Sequence, residues 1–167
     1  MGGHRKILMA DLKSLLVKNG LKDVVTYIQS GNLIFSSDKS SDDLEKLISG
    51  LIMDKYAFEV PVMVRSVEDW KLVFEENPFL LNDPNIEIDR LYVTFLGDEP
   101  TATNLSVVNG MSFPNDDFQI IGRSVYILLH KKYSETKLTN SFFESKLKVT
   151  ATSRNWKTVT KLVEMSL

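Results

Sequence analysis

The residues best suited to chemistry lie close to the carboxyl end, in the run Thr152-Ser153-Arg154-Asn155-Trp156. The periodicity that follows predicts a helix over 153–165, capped by Thr152 or Ser153. Exposed amides at a helix N-terminus bind anions, and an arginine beside them can pair with a carboxylate or phosphate through two parallel hydrogen bonds. We therefore predict a site for a small anionic ligand, formed by Arg154, Asn155 and Trp156.

The same residues also fit an ordinary amphipathic helix without a ligand. Trp156, Val159 and Val163 recur at the spacing of a buried stripe. Basic residues recur at a similar spacing on another face: Arg154, Lys157 and Lys161. In this interpretation Trp156 belongs to the core and the basic face is solvated. The sequence leaves both interpretations open.

A second polar segment, Gln29-Ser30-Gly31-Asn32, is predicted to connect two strands, 24–28 and 33–35. Its side chains and backbone amides could face a ligand, so we predict that Gln29, Ser30 and Asn32 complete the site. The alternative is a plain hairpin turn without a ligand, in which Gly31 and Asn32 are present because they accept positive φ at low cost.

The amino-terminal run Gly2-Gly3-His4-Arg5-Lys6 resembles a phosphate-binding loop only loosely. It lacks the spacing of the glycine-rich nucleotide-binding motifs, in which each glycine or lysine has a fixed position relative to the phosphates. A frayed terminus explains the run equally simply.

The sequence contains no catalytic signature, so whether the protein is an enzyme stays undecided. There is no cysteine, which removes thiolate nucleophiles and thiolate metal ligands. The two histidines, His4 and His130, lack metal-ligand spacing, and His130 ends an apolar strand, which favours a structural role. No Gly-x-Ser-x-Gly elbow is present. We predict neither a metal nor a cofactor.

Nucleic acid is the alternative partner. Tyr92 and Tyr126 could stack bases if they lay on an open sheet face. Basic residues would surround them: Lys131, Lys132, Arg154, Lys157 and Lys161. The net charge of −2, from 20 basic and 22 acidic residues, disfavours this alternative because phosphate neutralisation supplies much of nucleic-acid affinity. A further alternative is an interaction scaffold without a ligand.

The composition is that of an ordinary globular protein. The chain has 167 residues, of which 43% are hydrophobic and 25% charged. No apolar run approaches the roughly 18 residues of a membrane span, so no membrane partner is expected. The absence of cysteine and of a signal-peptide pattern favours the cytoplasm.

The predicted elements indicate an α+β protein of two ferredoxin-like (split βαβ) halves, with an extra C-terminal helix. Residues 1–77 form the first half, 78–89 a connecting loop, and 90–167 the second half. The first half includes a predicted strand over 59–65 but lacks the opening strand of the unit. That strand is interior in a split βαβ unit, so its loss would strip hydrogen bonds from its neighbours.

Three stretches together resemble the bacterial family catalogued as domain of unknown function 1697. They are Gly2-Gly3 with Met9–Lys13, Tyr27–Asn32, and Ala151–Val159. The resemblance implies a fold and no established activity. It also implies an apolar strand ahead of Gly2-Gly3. We expect either that the chain starts upstream of Met1, or that a strand from a partner copy fills the position by self-association.

Overall fold

The structure, a computed structural model, describes residues 7–28, 31–130 and 132–166. These residues form a mixed α+β fold with helices and two antiparallel sheets. The helices are α1 (Met9–Lys18), α2 (Ser41–Tyr56), α3 (Val67–Glu75), α4 (Pro78–Asn82), α5 (Ala102–Asn109), α6 (Asn140–Leu147) and α7 (Trp156–Met165). The strands are β1 (Lys22–Tyr27), β2 (Asn32–Ser36), β3 (Leu91–Leu96), β4 (Asp116–Ile121), β5 (Ser124–Leu129) and β6 (Ala151–Asn155).

The chain divides into two compact units. The first unit comprises Met1–Ser66 with Glu164–Leu167, and the second comprises Val67–Val163. The loop predicted at 78–89 lies inside the second unit, because α3 packs on that unit's sheet. The Trp70 ring stacks on Phe95 at a centroid distance of 4.6 Å, and its Nε1 donates to the Val159 carbonyl at 3.2 Å.

In the first unit, local signals in the sequence define α2. The Ser40 hydroxyl accepts a hydrogen bond from the Asp43 amide at 3.2 Å and so caps the first turn of the helix. Ala57, in the left-handed conformation at φ 61°, ends it. Leu44, Ile48 and Ile52 form the buried stripe of α2 and pack with α1 and the β1–β2 hairpin.

The strand predicted over 59–65 is wrong. Residues 57–66 form two bends followed by irregular backbone, and they contain no strand. The alternation behind the prediction is real, because Phe58, Val60, Val62 and Val64 all pack against the core of the first unit. No backbone hydrogen bond joins Phe58–Met63 to any other described residue. A strand exists only through its ladder of hydrogen bonds with a neighbour, and this segment lacks one.

The second unit is built on a four-stranded antiparallel sheet of order β4-β5-β3-β6. Strand β5 is buried along its whole length and lies between β4 and β3, so it is a central strand of the sheet. The hairpin joining β4 to β5 turns at Gly122, whose φ of +59° suits glycine in a two-residue turn. Strand β3 pairs on both sides.

The helix predicted over 153–165 starts three residues late, because residues 151–155 form β6. This strand pairs with β3, placing Ser153 opposite Thr94 and Arg154 opposite Val93. The Ser153 hydroxyl also hydrogen-bonds the side chains of Thr94 and Asn140. Residues 151–155 would also suit the start of a helix, but their hydrogen bonds with β3 stabilise them as a strand.

Both faces of the four-stranded sheet are covered. On one face Val125, Ile127 and Leu129 pack with side chains of α5 and α6, including the fully buried Phe143. On the other face α3 packs over Phe95 and Tyr126, whose hydroxyl donates to the Val73 carbonyl at 3.0 Å. The second unit therefore has packed side chains on either side of its strands.

Gly97 is required by close packing. A Cβ at this position would collide with Oγ1 of Thr150, and the Gly97 amide donates to the Thr150 carbonyl at 2.8 Å. We expect Gly97→Ala to lower the free energy of unfolding by about 1–3 kcal/mol, the usual cost of overpacking. Adding Thr150→Ala should restore most of the loss in urea denaturation, because the colliding atom is removed. Purely additive losses would contradict the packing account.

Burial of the Tyr126 phenol raises its pKa to about 12, with a smaller contribution from the Glu76 carboxylate. As the pH rises, the unfolded state loses the phenol proton near the ordinary pKa of 10.0, whereas the folded state keeps it to a higher pH. Stability from this group should be complete below pH 10 and lost as the pH rises to 12, by on the order of 2 kcal/mol. Thermal unfolding measured at several values between pH 10 and pH 12 tests this loss of stability.

The matched control is Tyr126→Phe, which cannot ionise at this position. Subtracting its pH profile from that of the unaltered chain isolates the contribution of Tyr126 from those of other tyrosines. Parallel profiles between pH 10 and 12 would refute the assignment.

Candidate functional site

Arg154 lies on β6, two residues before α7 begins. Its side chain runs back along its own strand, because Nη1 donates to Thr152 Oγ1 at 2.9 Å and to the Ser153 carbonyl at 2.8 Å. Thr152 and Arg154 are two residues apart on a strand and therefore share a face. These contacts fix the plane of the guanidinium at the junction between β6 and α7.

The environment of Arg154 is partly desolvated. The residue is half-buried, and burial lowers the pKa of its guanidinium from the ordinary value. Desolvation disfavours the charged form, so a negative charge brought against this group interacts with it more strongly than with an arginine in water. The arrangement therefore suits the pairing of an anion.

Asn155 is the cap of α7, which corrects the predicted cap at Thr152 or Ser153. Its Oδ1 accepts a hydrogen bond from the Thr158 amide at 2.8 Å, the contact expected of a residue just before the first helical turn. Thr152 and Ser153 lie on β6 and use their hydroxyls within the sheet. The predicted role of Asn155 in orienting a ligand therefore competes with a structural role.

Trp156 lies in the core. It is only 3% exposed, and its ring stacks on Phe74 with a centroid distance of 5.5 Å. Val159 is fully buried beside it on α7, while Lys157 and Lys161 are exposed. The packing interpretation thus accounts for Trp156 and for the basic face, leaving Arg154 as the residue that carries the anion-site hypothesis.

The predicted turn lies in the first unit, and Gln29 and Ser30 are outside the described residues. Gly31 has φ +96°, as expected of a turn glycine, whereas Asn32 begins β2 opposite Tyr27. Asn32 is buried, and its Nδ2 donates to the Tyr27 carbonyl at 3.3 Å, which closes the hairpin. Among the described residues of this turn, Ile28 also has a positive φ, of 49°, which the sequence does not signal. The run Gly2–Lys6 also falls outside the described residues.

The premise of the nucleic-acid interpretation is wrong. Tyr126 lies opposite Val93, and Tyr92 lies opposite Ile127, so the two tyrosines point to different faces of the sheet. Tyr126 is buried under α3, and Tyr92 is half-buried against Tyr133 at a centroid distance of 4.8 Å. These two rings do not form a shared stacking platform. Lys131, one of the basic residues invoked, lies outside the described residues.

A polar cluster at the end of β5 has no counterpart in the sequence-based predictions. Arg90 Nε donates to the Leu129 carbonyl and Arg90 Nη2 contacts His130 Nδ1, both at 2.8 Å. Asp116 accepts from the His130 amide, and Asp117 lies 3.8 Å from His130 Nε2. Since these contacts join the ends of β3, β4 and β5, they support the structural role predicted for His130.

Within the described ranges, no group of three or more histidine, aspartate or glutamate side chains is arranged to hold a metal ion. Nor does this part of the chain contain a helix long and apolar enough to cross a membrane.

Comparison with known proteins decides the family. The model of a family described as protein of unknown function (DUF1697) matches residues 1–126. The chain belongs to this family. Arg154 and α7 of this DUF1697 chain lie beyond the matched residues.

The solved structure of conserved bacterial protein SP0830 from Streptococcus pneumoniae is similar to the DUF1697 chain. The TM-score is 0.75 at 23% sequence identity, and the match covers 99% of this chain and 92% of that one. At this identity the likeness establishes the fold alone. No curated protein matches the sequence.

The cap at Asn155 can be tested separately from any ligand. We expect Asn155→Ala to lower the free energy of unfolding by about 1 kcal/mol, because the Thr158 amide loses its acceptor. Asn155→Asp should retain stability, since a carboxylate caps equally well and suits the positive end of the helix. Chemical denaturation of the three proteins measures the difference. Equal stability of the alanine variant would contradict a capping role.

Proposed function

We propose that this chain binds a small anionic ligand at the junction of β6 and α7, with Arg154 pairing the charge. The observation that carries the proposal is the fixed guanidinium, held by Thr152 Oγ1 and the Ser153 carbonyl in a half-buried position. A preoriented arginine loses little side-chain freedom on binding, so more of the pairing energy appears as affinity.

The helix that follows supports the same chemistry. Helix α7 starts at Trp156, next in the chain to the cap residue Asn155, and its first turn carries the positive end of the helix dipole. A carboxylate or phosphate group at Arg154 would lie near this end of the helix. The predicted participation of Gln29, Ser30 and Asn32 stays a prediction, as does any direct role of Asn155 or Trp156 in contacting the ligand.

We propose that the second unit follows the ferredoxin-like plan, because β3-α5-β4-β5-α6-β6 is a βαββαβ order and the sheet order β4-β5-β3-β6 suits it. The first unit would follow the same plan from its first helix onward. The division at 78–89 into two such halves, and a cytoplasmic setting favoured by the lack of cysteine, remain parts of this proposal.

Ligand-induced thermal stabilisation tests the site. Inorganic phosphate, nucleotides, sugar phosphates and dicarboxylates are titrated against the full chain, since a ligand of the native state raises its melting temperature. We expect at least one of these anions to give a saturable shift that Arg154→Ala abolishes. Arg154→Lys should weaken the shift, because lysine keeps the charge but loses the planar fork.

Arg123→Ala is the matched control. It removes the same charge from the β4–β5 turn of the second unit, away from β6, and should leave the shift intact. A shift that survives in Arg154→Ala, or that Arg123→Ala abolishes equally, would defeat the proposal. The absence of a saturable shift with every anion would defeat it as well.

A further inference from the structure

Strand β4 forms one edge of the four-stranded sheet in the second unit. It pairs with β5 on one side, and no described strand lies on its other side. Phe118 and Ile120 are half-buried and pack against the core, whereas the side chains that alternate with them are exposed: Asp117, Gln119 and Ile121. Unpaired peptide groups along an edge strand are a ready template for a further strand.

The hydrogen-bond ladder determines which peptide groups of β4 point away from the sheet. In an antiparallel sheet, each residue directs its N–H and its C=O to the same neighbouring strand, and successive residues alternate between the two sides. The Leu96 amide donates to the Arg123 carbonyl, which continues the β3–β5 ladder and sets this alternation. Even-numbered residues of β5 therefore bond to odd-numbered residues of β4. Phe118 and Ile120 consequently direct both of their backbone groups outward.

The outward backbone groups of Phe118 and Ile120 form what we call the open β4 edge. Within the described ranges, these N–H and C=O groups make no hydrogen bond. The edge is closed towards the start of the strand, because the Asp116 amide already donates to the Phe113 carbonyl at 3.4 Å. Towards the end of the strand it stops at the Gly122 turn. The open β4 edge is therefore short and well defined.

The opposite edge of the sheet, β6, shows how this unit closes an edge. By the same alternation, Ala151 and Ser153 direct their backbone groups away from β3. The Ala151 amide donates to Glu144 Oε2 at 3.2 Å, and the Ser153 carbonyl accepts from Arg154 Nη1 at 2.8 Å. Side chains that occupy an edge in this way oppose pairing with another sheet. No side chain in the described part of the chain does so along the open β4 edge.

We propose that two copies of this chain associate through their open β4 edges, which pair antiparallel about a two-fold axis at Gln119. Phe118 of each copy then lies opposite Ile120 of the other copy. Each such pair exchanges both N–H···O=C bonds, so every free backbone group of the edge gains a partner. An interface of this symmetry uses the same patch twice, and the patch must therefore be complementary to itself.

The backbone of the open β4 edge selects this register among the symmetric ones. A two-fold axis at Phe118 would require the Asp116 amide, which already has an acceptor in Phe113. An axis at Asp117 would require the same amide and would also place the two Asp117 carboxylates opposite each other, which is destabilising. The axis at Gln119 avoids both costs.

The side chains of β4 also match a second copy in this register. On the core side, Phe118 meets Ile120 of the other copy, and an aromatic side chain beside a β-branched one is a favourable cross-strand pair. On the exposed side the two Gln119 carboxamides face each other, and each can donate and accept a hydrogen bond. Asp117 lies opposite Ile121, so no like charges meet. The edge thus fits another copy through its side chains as well as its backbone.

Amide hydrogen exchange of the full, unaltered chain tests the position of the contact. The amides of Phe118 and Ile120 point outward, whereas those of the odd-numbered residues of β4 bond to β5. As the protein concentration is raised, we expect exchange at Phe118 and Ile120 to slow by at least about tenfold, with little change at the neighbouring amides. Sedimentation equilibrium of the same samples should show a dimer whose formation saturates below about 1 mM.

A charge exchange at the symmetry axis tests the register. Gln119 is exposed, so Gln119→Lys and Gln119→Glu should both leave the fold intact. Either variant alone places like charges opposite each other, and its self-association should weaken by about fivefold. An equimolar mixture of the two variants should recover association, because lysine then faces glutamate. The matched control is Asn85→Lys, which adds the same charge at an exposed position away from β4 and should associate as the unaltered chain does.

Several results would overturn the proposal. One is a chain that stays monomeric up to about 1 mM, the weak limit of a specific interaction. Another is a dimer in which Phe118 and Ile120 exchange as fast as in the monomer, because the contact then lies elsewhere. Slow exchange of these two amides in the monomer would show that the chain itself covers the edge. Failure of the mixed variants to recover association would refute the axis at Gln119, and the exchange measurement decides the case if a variant does not fold.

Discussion

The hydrogen-bond ladder on both sides of β3 is the interaction on which the second unit depends. Strand β3 pairs with β5 and β6, and Leu91, Val93 and Leu96 have no exposed surface. Both edges of β3 are paired and both of its faces are covered. Among the described strands of this unit, β6 pairs with β3 alone. The register of that pairing places Arg154 opposite Val93 and therefore fixes the position of the candidate anion site. A site on a paired strand is held more rigidly than one on a loop.

The sequence predicts well those elements that local chemistry determines. Ser40 and Thr101 each accept a hydrogen bond from the amide three residues later, so α2 and α5 begin where the side chains indicate. The continuous apolar pattern of residues 124–129 identifies β5 as a central strand because both of its faces are buried. The turn at Gly122 also depends on local chemistry, because glycine adopts the positive φ of this position at low cost. In each case the deciding contacts lie within a few residues of one another or follow directly from hydrophobic pattern.

The errors at residues 59–65 and 153–155 have a common physical cause, which is that a strand is defined by its neighbour. Residues 151–155 contain a capping-type Thr-Ser pair that suits a helix start, yet the edge of β3 draws them into a ladder. Residues 58–64 have the alternation of a strand, yet the described chain offers them no ladder. Local sequence cannot distinguish these outcomes, because the deciding hydrogen bonds come from residues far away along the chain. The hydrogen bonds of Arg154 to Thr152 and Ser153 are local, but they form on an extended backbone that the pairing of β6 with β3 imposes.

The kind of ligand expected at Arg154 depends on whether this residue lies on a helix or on a strand. On a helix, Arg154 would have been one member of a solvated basic face with Lys157 and Lys161. On β6 it is separated from those exposed lysines, half-buried, and held by Thr152 and Ser153. An arginine fixed in this way favours one anionic group in one orientation, whereas a row of flexible lysines favours extended polyanions. The placement of Arg154 on a strand is therefore the structural reason to favour a small anionic ligand over nucleic acid.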